Sequence, residues 1–430
     1  MGLPRGEVDG SVGIEVKAGL RDARRLVAEQ KCGGRVNILL MGTATANLRL
    51  SKLAPNLVQS EIRAMSTECD RVGGVNLAQG VCDTELPAGV AEGAIQAIKD
   101  GYNIYTRLDG VAPLREAIAE KLERDNHLTV DPNTEVLVTS GATAGLFAAV
   151  LALLDPGDEV VLFEPFYGYH LSTLATLRIQ PVTVPLAWGS WALDLDRLRA
   201  AITPKTRAII VNSPSNPSGK VFSRAELEAI AAVAQEHDLF VFTDEIYEYF
   251  VYDGTEHISP ATLPGMGERT ISISGLSKTF SITGWRIGYL TASARWMPSI
   301  AYFHDLTYVC APSPFQYGAA AGLLELPVSF YTGLATEYKV KRDRICAALA
   351  AAGFTPHIPA GAYYVLADVA SIPGATARER ARTLLRERGV AAVAGTAFFR
   401  DGRGEDLLRF CFAKRDDELE RACDLLQGLG

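Results

Sequence analysis

The chain has 430 residues, 48% of them hydrophobic, and a formal net charge of −8. That length supports a large core divided between two domains. The acidic balance leaves no basic footprint for nucleic acid, and no apolar run approaches the roughly 20 residues that cross a bilayer. The seven cysteines are odd in number, scattered, and without a Cys-x-x-Cys pair, which reads as reduced thiols in a cytoplasmic protein. The six histidines show neither His-Glu-x-x-His nor His-x-His spacing, so no metal site is expected.

Residues 1–55 carry nine Lys and Arg against five Asp and Glu, whereas the remainder is strongly acidic. Their one apolar run, 37–40, is too short for a secretory core, and the acidic residues argue against a transit peptide. They read as a helical or disordered extension, with Met41 and Met65 as alternative starting points. A short helix is expected over 57–66. Val75-Asn76-Leu77-Ala78-Gln79-Gly80 follows, where Gly80 on its own reads as a turn glycine. Helical periodicity marks 90–99. The polar, aromatic loop 102–110 contains Tyr105 and leads to a helix over 111–123, with Pro113 in its first turn.

A buried strand is expected over 135–139. Ser140-Gly141-Ala142-Thr143-Ala144 then opens a helix that ends near Leu154. Strand, small-residue turn and helix start together can hold an anion on free backbone N–H groups. The spacing is neither a Walker A nor a Gly-x-Gly-x-x-Gly, and an ordinary strand-to-helix turn has the same look. The strand 159–164 precedes Pro165-Phe166-Tyr167. The strand 207–211 runs into Asn212-Ser213-Pro214-Ser215-Asn216-Pro217-Ser218-Gly219. Ser223 caps a helix over 223–236.

The strand 239–243 ends in Asp244-Glu245-Ile246-Tyr247. A carboxylate beside apolar residues at a strand end is costly unless paired, and two compete here, Asp244 and Glu245. Four candidate sites thus follow strand ends, which is where open α/β sheets bind ligands. After the buried strand 270–274 comes Gly275-Leu276-Ser277-Lys278-Thr279-Phe280-Ser281-Ile282-Thr283-Gly284-Trp285-Arg286-Ile287-Gly288. It sets one lysine among small and hydroxyl residues, eight residues before an arginine. A strand at 289–292 is followed by helical segments to about 325, a long amphipathic helix over 330–351, strands at 362–368 and 407–412, and helices at 377–388 and 416–426. Arg409 lies among apolar residues in the second of those strands and needs an anionic partner, inside the protein or bound to it.

The lysine segment resembles the signature of the class I/II pyridoxal-phosphate aminotransferases. Asn216-Pro217-x-Gly219 and Asp244-x-x-Tyr247 match the same family in order and rough spacing, and the resemblance extends over about residues 56–430. It implies an α/β fold of the type I pyridoxal-phosphate enzymes: a mostly parallel seven-stranded sheet between helices in a large domain (95–315), with a smaller α+β domain drawn from both chain ends (56–94 and 316–430). It implies pyridoxal 5′-phosphate bound as a Schiff base on Lys278. Arg286, Ser277 and the backbone at Gly141, Ala142 and Thr143 would hold the phosphate. Tyr167 would lie against the ring, Asn216 and Tyr247 would bond the ring oxygen, and Asp244, rather than Glu245, would keep the ring nitrogen protonated. Tyr105 would reach the partner's phosphate in a homodimer with shared sites. Arg409 would take the substrate carboxylate, with Gly80 and Asn216 beside the substrate. The role of Tyr169 stays open.

The activity so implied is transfer of an amino group between an L-amino acid and a 2-oxo acid. Family members selective for aspartate carry a second arginine in the stretch matching 306–314. Here that stretch has no basic residue, which points to neutral or aromatic substrates. The alternative is elimination, γ-replacement or ring closure on an S-adenosylmethionine-type substrate, as in aminocyclopropane-carboxylate synthases. Those carry a glutamate near the position of Gly80, where this chain has Ala78-Gln79-Gly80. A non-enzymatic regulator is disfavoured because Lys278, Asp244 and Arg409 are all present.

Overall fold

Thirteen strands and the helices between them make up the computed structural model, which describes Ser51 and residues 61–427. The extension expected over 1–55 lies outside the described residues except for Ser51. The strands are β1 (Val75–Asn76), β2 (Val136–Thr139), β3 (Glu159–Glu164), β4 (Gln180–Pro185), β5 (Thr206–Asn212), β6 (Phe240–Asp244), β7 (Thr270–Gly275), β8 (Gly288–Thr291), β9 (Thr355–His357), β10 (Tyr364–Asp368), β11 (Val390–Ala391), β12 (Val393–Ala394) and β13 (Leu407–Cys411). Seven of them form the main sheet in the order β2-β8-β7-β6-β5-β3-β4.

Only β8 runs against the rest of that sheet. The interior strands are apolar on both faces because helices cover both. Val160, Leu162, Ile210, Phe242 and Ile271 pack toward helices Ala142–Leu153 and Met297–Tyr308. Their alternates Val161, Phe163, Ile209, Val211 and Val241 pack toward helix Arg224–Glu236. That helix starts on the expected serine. Ser223 accepts from the Glu226 backbone N–H while Glu226 reaches back to the Ser223 backbone, a closed capping box.

β4 has no counterpart in the elements read from the sequence. Its Pro181 and Pro185 argue against a central strand, and it sits at the sheet edge, where a missing N–H breaks no ladder. The first described helix, Glu61–Val72, runs six residues past the expected end at 66, and residues 57–60 of that expectation lie outside the described residues. β10 starts two residues after the expected 362, and the helices Ala377–Arg388 and Asp416–Leu426 fall on the expected residues.

Two small sheets lie apart from the main one. β9, β10, β12 and β13 are antiparallel in the order β12-β13-β10-β9. β1 pairs in parallel with β11, setting Val75 opposite Val390. This pairing ties the start of the described chain to its last quarter and carries Gly80 toward the β10–β13 sheet.

Strands β2, β3, β5, β6 and β7 all end at the same edge of the main sheet. The loops after them therefore converge. The hairpin of β7 and β8 adds a constraint: Gly275 lies opposite Gly288, and Gly288 lies opposite Thr139 of β2. Residues shortly after β7 and shortly before β8 must both sit at that edge. Lys278 and Arg286 are such residues, which accounts for their spacing.

Candidate active site

A cleft of about 720 Å³ opens at the edge where those loops meet. Its wall includes Gly80, Ala142, Thr143, Tyr167, Asn216, Asp244, Tyr247, Ser277, Lys278, Arg286 and Arg409. Gly141 is the residue before the first helical turn and lies against Arg286. The structure thus gathers the expected site residues, with one exception. Tyr105 is 79% exposed and does not line this cleft.

Lys278 reaches across from the β7–β8 loop and donates from Nζ to the Gly80 carbonyl at 2.9 Å. Burial pushes its pKa below the ordinary lysine value. The Cys82 and Cys411 thiols oppose that shift, and the Arg286 guanidinium adds to it. A neutral amine is the nucleophilic form.

The helix Ala142–Leu153 points its N-terminus into the cleft, and no side chain caps it. Its first N–H groups and the positive end of its dipole are left for a ligand anion. Gly141 has φ +80°, and a Cβ there would collide with the Arg286 guanidinium. Gly288 is equally closed, since a Cβ would stand 2.5 Å from the Ala142 nitrogen. Arg286 itself has φ +60°, a left-handed conformation unusual for a long side chain, and donates from Nη1 to the Thr283 carbonyl at 3.0 Å. Ser277 is buried beside it. From the opposite side of the turn, His304 Nε2 accepts the Ser140 backbone N–H at 3.2 Å. Burial drives His304 down to about 4, so it is neutral and fit to accept that bond.

The two carboxylates at the end of β6 separate cleanly. Glu245 faces away from the cleft and is fully bonded: Thr243 Oγ1 at 2.6 Å, Ser259 Oγ at 2.8 Å and His257 Nε2 at 3.1 Å. Burial works against its charge, and those bonds overcome it, holding its carboxyl below the ordinary value. Asp244 faces the cleft. Its Oδ2 meets His170 Nε2 at 2.9 Å, and no Lys or Arg pairs with it among the described residues. The Asn212 amide holds the Asp244 carbonyl at 3.0 Å, and Asn212 Oδ1 receives the Asn216 backbone N–H at 2.9 Å. The ends of β5 and β6 are locked together in this way.

Arg409 is fully buried, yet no carboxylate pairs with it among the described residues, so the internal salt bridge is not found. Nη1 donates to Asn216 Oδ1 at 2.7 Å and Nη2 to the Ala78 carbonyl at 2.5 Å, while Nε has no partner among the described residues. The Tyr364 and Phe398 rings pack on its guanidinium, with centroids at 4.3 and 4.9 Å. Neutral contacts of this kind orient the cation without neutralising it.

The donor set fits pyridoxal phosphate. An uncapped helix end with an arginine suits the phosphate. An Asp without a cation suits a protonated ring nitrogen, and a buried lysine suits the aldehyde. The sequence matches the family "Aminotransferase class I and II" over residues 72–426. The chain belongs to that family of pyridoxal-phosphate-dependent aminotransferases. A probable N-succinyldiaminopimelate aminotransferase of Mycobacterium tuberculosis is 41% identical over 389 residues, covering 87% of this chain and 97% of that protein. Aromatic-amino-acid aminotransferase 2 of Thermococcus litoralis is 34% identical over 371 residues, covering 86% and 95%. The solved N-succinyldiaminopimelate aminotransferase from M. tuberculosis superposes with a TM-score of 0.85 at 39% identity, over 89% of this chain and all of that one. The enzyme is an aminotransferase, and the elimination or ring-closing alternative is not favoured.

Three contributors had no legible signal in the sequence. His170, His304 and Tyr364 are a lone helical histidine, a second one, and one of two adjacent tyrosines. Only the fold aims them at the site. Tyr169, whose role was open, stacks on Tyr167 with ring centroids 5.3 Å apart and lines the cleft.

The lowered pKa of Lys278 has a kinetic consequence. The rate at which apoprotein captures the cofactor aldehyde rises with pH and levels off below the ordinary lysine value of 10.5, because the buried amine is already neutral there. Stopped-flow absorbance at a series of pH values measures it. Levelling off only at the pH of an exposed lysine contradicts the buried setting.

Proposed function

We propose that this aminotransferase acts on L-amino acids with neutral apolar or aromatic side chains. The observation that carries the reading is Arg409, a buried guanidinium without a carboxylate partner among the described residues, inside a cleft that Ile62, Val81, Tyr169, Tyr308 and Pro312 also line. One carboxylate of the substrate completes Arg409 as a bidentate pair. The side chain then meets apolar and aromatic walls, where a second carboxylate without a cation is costly.

The other roles follow from position. Arg286, Ser277 and the N–H groups at Gly141, Ala142 and Thr143 would hold the phosphate. Tyr167 would lie against the ring, Asn216 and Tyr247 would bond the ring oxygen, and Asp244, backed by His170, would keep the ring nitrogen protonated. The cofactor, held by Lys278, would supply the electron sink for the substrate's α-carbon. Lys278, once free, would carry the proton taken from that carbon.

A second reading rests on Arg63. It lines the same cleft and pairs with no carboxylate among the described residues. A longer substrate, neutral near its α-carbon and carboxylated at its far end, would find a cation there. The Mycobacterium relative, named for N-succinyldiaminopimelate, supports that shape.

We further propose a homodimer in which Tyr105 completes the partner's site. Ile104, Tyr105, Leu108, Leu306 and Val309 are exposed apolar residues that a second subunit would cover. We also propose a division into a large domain (95–315) and a small one (56–94 with 316–430), and a cytoplasmic location, since the six cysteines among the described residues are all free, which suits a reducing compartment.

A substrate panel tests the assignment. Neutral and aromatic donors should exceed aspartate in kcat/KM by at least about tenfold, the scale of ~1.4 kcal/mol for an unpaired charge at a partly solvated site. Arg409→Ala should raise KM for every donor. Selectivity for aspartate over all neutral donors would overturn it. Selectivity for long donors with a distal carboxylate, abolished by Arg63→Ala, would establish the second reading instead. For assembly, light scattering should give a dimer, and Tyr105→Phe should weaken cofactor retention. A fully active monomer would contradict the shared site.

A further inference from the structure

Tyr364 packs its ring on Arg409, and its hydroxyl, to which nothing above gives a role, touches further groups of the site. It opens β10, and its partner strand β13 sets Cys411 opposite it and Arg409 opposite Leu366. Tyr364 and Arg409 are therefore diagonal neighbours on one face of the small sheet. The guanidinium lies 4.3 Å from the Tyr364 ring centroid. The Tyr364 hydroxyl stands 3.0 Å from the Tyr247 hydroxyl, and both are buried. On its other side is Gly80, the residue whose carbonyl receives Lys278. A Cβ on Gly80 would collide with the Tyr364 hydroxyl, so the glycine leaves that hydroxyl its space.

A tyrosine hydroxyl has one proton and can accept as well as donate. In the Tyr247–Tyr364 pair only one proton fills the contact, and the other stays available. Which is which depends on relative acidity. Tyr364 faces Arg409, Cys411, Tyr167 and Tyr247. Burial raises its pKa, and the Arg409 cation pulls it back. Tyr247 faces Tyr364, Tyr167 and Asp244, none of which is a cation, and burial leaves it well above the ordinary tyrosine value. Tyr364 is the stronger donor and Tyr247 the better acceptor.

We propose that Tyr364 is a positioning residue: its hydroxyl, polarised by Arg409, donates to Tyr247 and leaves the Tyr247 proton free to point at the cofactor's ring oxygen. The proposal rests on Tyr247 as the group that meets that oxygen. It joins the carboxylate-binding arginine to the cofactor through one side chain, so that the cation which binds substrate also sets a hydrogen bond on the ring.

The pH midpoint of the holoenzyme's visible absorbance band tests it. That midpoint reports loss of a proton from the nitrogen linking Lys278 to the cofactor, next to the Arg286 and Asp244 charges and the Cys82 and Cys411 thiols. A proton donated to the ring oxygen stabilises its negative charge after that loss and lowers the midpoint. Tyr364→Phe should raise the midpoint by about half a pH unit, a fraction of one neutral hydrogen bond. Tyr247→Phe should raise it further, and the double variant should match Tyr247→Phe alone. Gly80→Ala, which displaces the hydroxyl without removing it, should raise the midpoint in the same direction as Tyr364→Phe.

An unchanged midpoint in Tyr364→Phe would overturn the proposal. So would a Tyr364→Phe shift that persists in full when Tyr247 is already phenylalanine, because a packing defect does not act through Tyr247. If Tyr247→Phe itself leaves the midpoint unmoved while amino transfer continues, the role of Tyr247 fails and the aminotransferase assignment does not.

Discussion

The active-site geometry depends on the pairing of β8 with both β7 and β2. Gly288 is pressed between Gly275 and Thr139, close enough to the start of the following helix that a methyl group would strike the Ala142 nitrogen. That contact fixes where the β7–β8 loop leaves and re-enters the sheet. It brings Lys278 into the cleft and Arg286 onto Gly141 at the uncapped helix end. The left-handed conformation of Arg286 is a local cost of bringing its fork to that helix end. Side chains at Gly141 or Gly288 would separate the arginine from the N–H groups it works with.

Around this frame the cleft holds charges that the protein leaves unneutralised. Arg409 is buried on oxygens and ring faces, and Asp244 meets His170 and the Ile246 N–H but no Lys or Arg among the described residues. Elsewhere the same protein neutralises buried charge with care. Glu245 receives three side-chain bonds, and Lys121 is paired with Glu248 and bonded to Asn126 at 2.7 Å. The contrast separates structure from function. Isolated buried charge costs several kcal/mol, and Arg409 and Asp244 sit where a carboxylate and a protonated ring nitrogen would relieve it.

Much of this was legible in the sequence because single residues carry the chemistry at fixed spacings. Lys278 with Arg286, Asn216 with Gly219, and Asp244 with Tyr247 each sit on a loop set by a strand end, so local pattern and fold agree. The apolar runs of β3, β5 and β7 were readable for the same reason. What was not legible depends on tertiary approach. β4, with its two prolines, is a strand only because it has one neighbour. His170 and Tyr364 come from a helix and from the small sheet, and their neighbours Asp244 and Tyr247 lie 74 and 117 residues away in the chain. Arg409 was legible as a cation in need of an anion. That the protein supplies none became visible only once its surroundings were in place.

Lys278 would return the substrate's α-proton to the bound cofactor, which hydrolysis would then leave in its amine form. The measurement is a half-reaction: holoenzyme, one neutral L-amino acid and no oxo-acid acceptor, followed by absorbance and by the product released. The account predicts stoichiometric loss of the aldehyde band with one equivalent of 2-oxo acid per site. Retention of the aldehyde form while S-adenosylmethionine is consumed and methylthioadenosine appears would contradict it.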